Sequence, residues 1–161
     1  MPRLLNFETP EGIRFTHVKN LDYKKFKLFL LSILWKASIS KRTFFKDVKL
    51  GPHERVIAKT ILTGNPGALE DYPILFFTYL NDRSAPSNLI AEPGIIKNSQ
   101  GTKYIVIIAG FTFVFHISRH DLSPNVLEST ITPEGELKIF HIPLGMSWRL
   151  IMSYFGIKPI K

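Results

Sequence analysis

Two histidines four residues apart, His116 and His120, share the parity of one strand, with Asp121 beside them and His141 on a later strand. Two imidazoles and a carboxylate can bind zinc or iron(II) without any thiolate. Four residues of extended chain span about 13 Å, which is too far for one ion unless the backbone bends between them. No metal is therefore expected here. The sequence contains no cysteine, which excludes disulfides, thiolate zinc sites and cysteine nucleophiles together. Gly64-Asn65-Pro66-Gly67 lacks the Lys-Ser/Thr ending of a phosphate-binding loop, and no Gly-x-Ser-x-Gly elbow occurs.

Glu136-Leu137-Lys138 has the strand-borne Glu-x-Lys pattern in which carboxylates hold Mg²⁺ and the lysine stabilises charge at a phosphate, with Asp121 as the earlier acid. A metal-dependent nuclease is one reading of these residues. A solvent-facing strand has the same appearance. No catalytic residue and no cofactor is expected.

Charge is the stronger signal. Residues 19–59 hold eleven Lys or Arg against three Asp or Glu, a local excess of +8 that equals the net charge of the whole chain. An acidic partner would meet that side first. Lys24, Lys25 and Lys36 share an arc of one helix, and Lys41 and Arg42 follow it, with Lys46 and Lys49 further on. Clustered, flexible cations suit phosphate or carboxylate groups. They equally suit a solvated helix face. Phe44 and Phe45 sit inside the cluster as stacking groups or as core anchors.

The elements that must position these residues follow from periodicity. Thr9-Pro10-Glu11-Gly12 between apolar runs at 4–7 and 13–18 predicts a hairpin, since proline presets φ and glycine accepts positive φ. The same four residues recur at 132–135 and predict a second hairpin, with strands at 126–131 and 136–142. Asp22 is placed to cap a helix over 23–40. Its main apolar stripe is Tyr23, Phe26, Phe29, Leu30, Ile33, Leu34 and Ala37, and Leu28, Leu31 and Trp35 line the opposite side. That second stripe, flanked by Lys24 and Lys36, reads as an outward aromatic–basic patch with Trp35 as anchor, or as the far side of a sandwiched helix. A second helix spans 52–63 and stops at Gly64. Strands follow at 74–80, 103–108 and 111–118, with a loop at 81–88, and a short helix at 146–155 closes the chain.

The run from Asp22 to Ser38, followed by Phe44-Phe45 and Leu50-Gly51-Pro52-His53-Glu54, resembles the C-terminal part of a group of uncharacterised bacterial proteins. Their longer members carry an N-terminal Cys/His zinc segment similar to HNH endonucleases. The similarity covers 21–72 well and the strand-rich remainder loosely. It implies a bacterial setting such as mobile DNA or phage defence, and a zinc-segment-containing partner. This chain has no cysteine and no histidine-rich segment before the helix, so the nuclease residues have no positions here.

The expected architecture is α+β: a mainly antiparallel sheet with two helices in the N-terminal half and a short C-terminal helix, in one domain over 1–161. Its parts are a hairpin at 1–20, a basic helical region at 21–64, a strand-rich region at 73–142 and a helix at 144–156. The expected function is a non-catalytic module docking nucleic acid or an acidic protein through Lys24, Lys25, Lys36, Lys41 and Arg42, with Trp35, Leu28 and Leu31 as apolar contacts. The alternative is an interaction or homo-oligomerisation subunit using the same three apolar side chains. No apolar run approaches the roughly 20 residues that span a bilayer, and no signal peptide precedes the first element, so a cytoplasmic protein without a membrane partner is expected.

Overall fold

The first turn forms as its residues dictate. The Thr9 N–H donates to Ile13 O at 2.8 Å and the Gly12 N–H to Thr9 O at 2.9 Å, with Gly12 at φ +83°. The turn joins strands β1 (Arg3–Glu8) and β2 (Arg14–Lys19). The computed structural model describes residues 3–10, 12–80, 90–99, 101–117 and 122–143. The expected loop at 81–88 and C-terminal helix at 146–155 lie outside the described residues.

Helix α1 (Tyr23–Ile39) starts at Asp22, whose carboxylate accepts the Lys25 N–H at 2.9 Å, satisfying one orphan donor of the first turn. A single 3-10 turn, Thr43–Phe45, leads to α2 (His53–Thr63), which ends at Gly64 in the left-handed conformation. Strands β3 (Ile74–Leu80), β4 (Ile90–Asn98), β5 (Gly101–Ile108) and β6 (Phe111–His116) follow, then α3 (Pro124–Ser129) and β7 (Leu137–Pro143). The seven strands form one sheet in the order β1-β2-β7-β3-β6-β5-β4, antiparallel throughout except for the parallel β3–β7 pair. The fold is α+β with a mainly antiparallel sheet, as the segregation of helices from strands predicts.

Three local departures matter. Residues 126–131 are not a strand: Ser123 caps α3 with its hydroxyl on the Val126 N–H, and Pro124 occupies the first turn, where its missing N–H costs nothing. The second Thr-Pro-Glu-Gly turn therefore links a helix to β7 rather than two strands. Strand β4, bent by a register shift between Ala91 and Gly94, is an element the sequence analysis leaves unassigned. Ala109 and Gly110, both at positive φ, make a two-residue turn between β5 and β6.

The central strands of the sheet are buried on both faces. α1 and α2 pack on one face through Leu30, Leu31, Leu34, Ala37 and Ile57 against Val18, Ile74, Phe76, Tyr104, Val106, Phe115 and Leu137. Opposite lie Ile13, Leu75, Phe77, Val114, Phe140 and Ile142, with Val126 of α3. No helix among the described residues is long and apolar enough to cross a membrane.

Candidate functional site

Several cations of the basic helical region have definite places. Lys27 is a core residue. Its ammonium donates to Ala68 O at 2.7 Å and to the Tyr23 hydroxyl at 3.0 Å, and lies 5.3 Å from the centre of the Tyr23 ring. Burial lowers its pKa to about 8, with Glu70 opposing. It thus clamps the 65–72 loop onto α1. Lys24 is exposed but lies over the end of α2: a Cβ built on Gly64 would meet its Cε at 3.6 Å and its Nζ at 3.7 Å. A cation there complements the negative end of the helix dipole. Lys25 pairs with Asp22 at 3.2 Å, and that contact helps hold the Asp22 carboxyl below its ordinary range, after the Lys25 backbone hydrogen bond. Lys19 pairs with Glu136 at 2.9 Å.

Lys36, Lys41 and Arg42 are free of such contacts, as are Lys46, Lys49, Arg55 and Lys59 among the described residues. The first three are exposed and none has a carboxylate within ion-pair distance among the described residues. Lys36 and Arg42 line a groove of about 470 Å³ between the end of α1, the 3-10 turn and strands β4 and β5, a volume typical of binding pockets. Its walls are almost wholly apolar: Ile33, Ala37, Phe44, Phe45, Ile90 and Val106, among others. Phe44 and Phe45 meet edge to face at 4.9 Å, and Phe45 packs on the core. Tyr104 fastens the following segment to the sheet by donating to Lys49 O at 2.6 Å, and Val48 and Leu50 are buried beneath it. The groove is therefore built on anchored backbone.

The apolar half of the expected site is corrected. Leu31 is 0% exposed and Trp35 packs against the chain's own core, with Leu28 half-buried. These three do not form an outward patch. Phe29, expected in the core, is 58% exposed. It lies with Lys25, Ser32 and Lys36 on one i, i+4, i+7, i+11 stripe. The outward aromatic of α1 is Phe29, not Trp35.

Among the described residues the metal and nuclease readings find no assembled site. His116 and His141 face opposite sides of the sheet: His116 follows Phe115 of the helix-covered face, whereas His141 shares that face with Thr78, whose hydroxyl lies 2.7 Å from its Nδ1. No group of three potential metal ligands occurs among the described residues. His120 and Asp121 lie outside them. The Glu136 carboxylate is engaged by Lys19 and by His17 at 3.1 Å, and Lys138 lies over the Phe15 ring.

Sequence reasoning missed one pair. Lys103 and His116 are opposite each other on β5 and β6, both buried, and neither Lys103 Nζ nor His116 Nε2 has a hydrogen-bond partner among the described residues. Burial, then the Lys103 charge, pushes the His116 pKa down to about 3, and burial lowers that of Lys103. The unfolded chain takes up a proton at His116 near pH 6.5 and the native state refuses it until about pH 3, so stability is full above pH 6.5 and is lost as pH falls below it. His116→Leu is expected to flatten this loss between pH 6.5 and 5 in urea unfolding. Lys103→Met, which removes an unpaired buried charge and keeps most of the volume, is expected to add about 1–3 kcal/mol at pH 7.

Comparison with family models, with curated proteins and with solved structures returned no match.

Proposed function

We propose that this chain is a binding module that takes an acidic, partly apolar segment of another protein into the groove at the end of α1. One observation carries the reading: Lys36 and Arg42, unpaired among the described residues, line a groove whose floor is apolar. An aliphatic or aromatic side chain of the partner would fill the space between Ile33, Phe45 and Val106. Flanking carboxylates would meet Lys36, Arg42 and the nearby Lys41. A long polyphosphate backbone fits less well, because it needs a broad cationic track, and Lys25 and Lys27 already have local partners.

The test is a titration followed by amide NMR shifts, using an acidic amphipathic peptide with one phenylalanine and, separately, a single-stranded oligonucleotide. The peptide is expected to move Ile33, Lys36, Ala37, Arg42 and Phe45. The double variant Lys36→Glu, Arg42→Glu is expected to weaken it by about tenfold or more, which is about 1.4 kcal/mol. Tighter binding of the oligonucleotide, with shifts centred on Lys25 and Phe29, would replace this reading with the nucleic-acid one. Peptide binding unaffected by the double variant would end it.

A further inference from the structure

Among the described residues the two edges of the sheet, β1 and β4, are built differently. The outer strand β4 carries Pro93, a register shift between Ala91 and Gly94, and Lys97, devices that discourage pairing with another chain. The opposite edge, β1, has no proline and no register shift, and its charges, Arg3 and Glu8, stand only at its two ends. Arg3-Leu4-Leu5-Asn6-Phe7-Glu8 pairs with β2 in unbroken register, and only Leu5 of its six residues is even half-buried. Leu4 is 65% and Phe7 47% exposed. Phe7 also ends an aromatic row that crosses four strands: Phe77–Phe140 at 6.1 Å, Phe140–Phe15 at 5.6 Å and Phe15–Phe7 at 5.6 Å.

The hydrogen-bond phase of that edge follows from the turn. The Thr9 N–H donates to Ile13 O, and antiparallel pairing alternates, so residues 3, 5, 7 and 9 turn their backbone groups to β2. Leu4, Asn6 and Glu8 turn theirs outward. An identical strand related by a two-fold axis through the sheet must place residues of equal parity opposite each other, because only then do facing side chains share a side of the sheet. Centring on Asn6 satisfies this and uses all three outward residues: Asn6 faces Asn6 of the second copy, and Leu4 and Glu8 face each other twice. On the aromatic side each Leu5 then faces the other copy's Phe7 and continues the row.

We propose that the occupant of this edge is a second copy of the chain, in a two-fold dimer whose β1 strands pair antiparallel about Asn6. The interface is isologous and closes on itself, joining two seven-stranded sheets into one. It lies on the first hairpin, apart from the groove at the end of α1, so it is independent of the binding reading above.

Light scattering on the full chain is expected to report twice the 18.4 kDa chain mass. Asn6→Pro removes an outward N–H and no backbone bond to β2, although it gives up the hydrogen bond that the Thr16 hydroxyl donates to Asn6 Oδ1 at 2.9 Å, and it is expected to give a monomer with unchanged circular dichroism. The chain has no cysteine, so single-cysteine variants are clean probes. Under oxidation Asn6→Cys is expected to cross-link into a covalent dimer, since facing Cα atoms in a hydrogen-bonded antiparallel pair are about 5.5 Å apart. Leu4→Cys is not, because the two copies of that position would lie about 13 Å apart along the strands. If Asn6→Pro does not fold, the two cysteine variants decide. A single-chain mass up to millimolar concentration overturns the proposal. So does a dimer that Asn6→Cys fails to cross-link, or capture at this edge of an extended peptide in place of a second copy.

Discussion

Gly135→Ala is expected to cost about 3–4 kcal/mol, while Gly12→Ala, in the same Thr-Pro-Glu-Gly turn sequence, costs about 1 kcal/mol. Both glycines have positive φ, +78° and +83°, so both substitutions carry left-handed strain of at least about 1 kcal/mol. What differs is the space. A Cβ on Gly12 would meet only the flexible Glu8 carboxylate, at 3.6 Å, whereas a Cβ on Gly135 would fall 2.2 Å from Leu21 O and 3.1 Å from Leu21 N. Those are backbone atoms, and they are held: the Leu21 N–H donates to Gly135 O at 3.0 Å. Relieving the clash means parting the start of α1 from the turn before β7, and with it the Glu136 contacts to Lys19 and His17. At this chain length each kcal/mol moves Tm by about 2–4 °C, so Gly135→Ala should lower the thermal midpoint by roughly 10 °C and Gly12→Ala by a few degrees. Equal losses would show that backbone conformation alone governs both turns.

That contrast shows what local sequence can and cannot carry. The turn chemistry of residues 9–12 is local, and so are the Asp22 cap, the Gly64 stop, the apolar run at 74–80 and the β-branched run at 103–108; each is legible and each forms. The second Thr-Pro-Glu-Gly sequence makes the same turn, but its preceding element is set by Ser123-Pro124, a helix start signal that outweighs the apolar pattern after it. Strand β4 was hidden for the opposite reason. Pro93 and Gly94 read as strand breakers, yet an edge strand tolerates both at a bend. Because β4 forms a wall of the groove, the groove itself was invisible from sequence, although two of its cations, Lys36 and Arg42, were among the expected contacts.

The rotation of α1 was the costliest ambiguity. Apolar residues surround most of its circumference, so spacing allows more than one inward face. The face that forms, Lys27, Leu30, Leu31, Leu34 and Ala37, is a regular stripe only when Lys27 counts as part of it. A lysine is ordinarily assigned outward. Here its tip reaches the carbonyl of Ala68, forty-one residues on, a partner that only the tertiary fold supplies. Charge on a helix is thus a poor guide to its outward side when a long side chain can end on a buried acceptor.

Leu31→Ala is therefore expected to lose about 3–5 kcal/mol of stability, and Phe29→Ala no more than about 0.5 kcal/mol, although the sequence pattern alone ranks them the other way. Leu31 is wholly enclosed among α1, α2 and the sheet, so truncation removes buried methyl groups and leaves a cavity that two helices and seven strands cannot collapse to fill. Phe29 faces outward between Lys25 and Lys36, where its removal exposes little and strains nothing. Urea unfolding of the two variants measures the difference directly. Because Phe29→Ala leaves the fold intact, it also reports on partners. A loss of oligonucleotide affinity in that variant would mark the Lys25–Phe29–Lys36 stripe as the contact surface, whereas unchanged affinity for the acidic peptide would keep recognition at Lys36, Arg42 and the groove behind them.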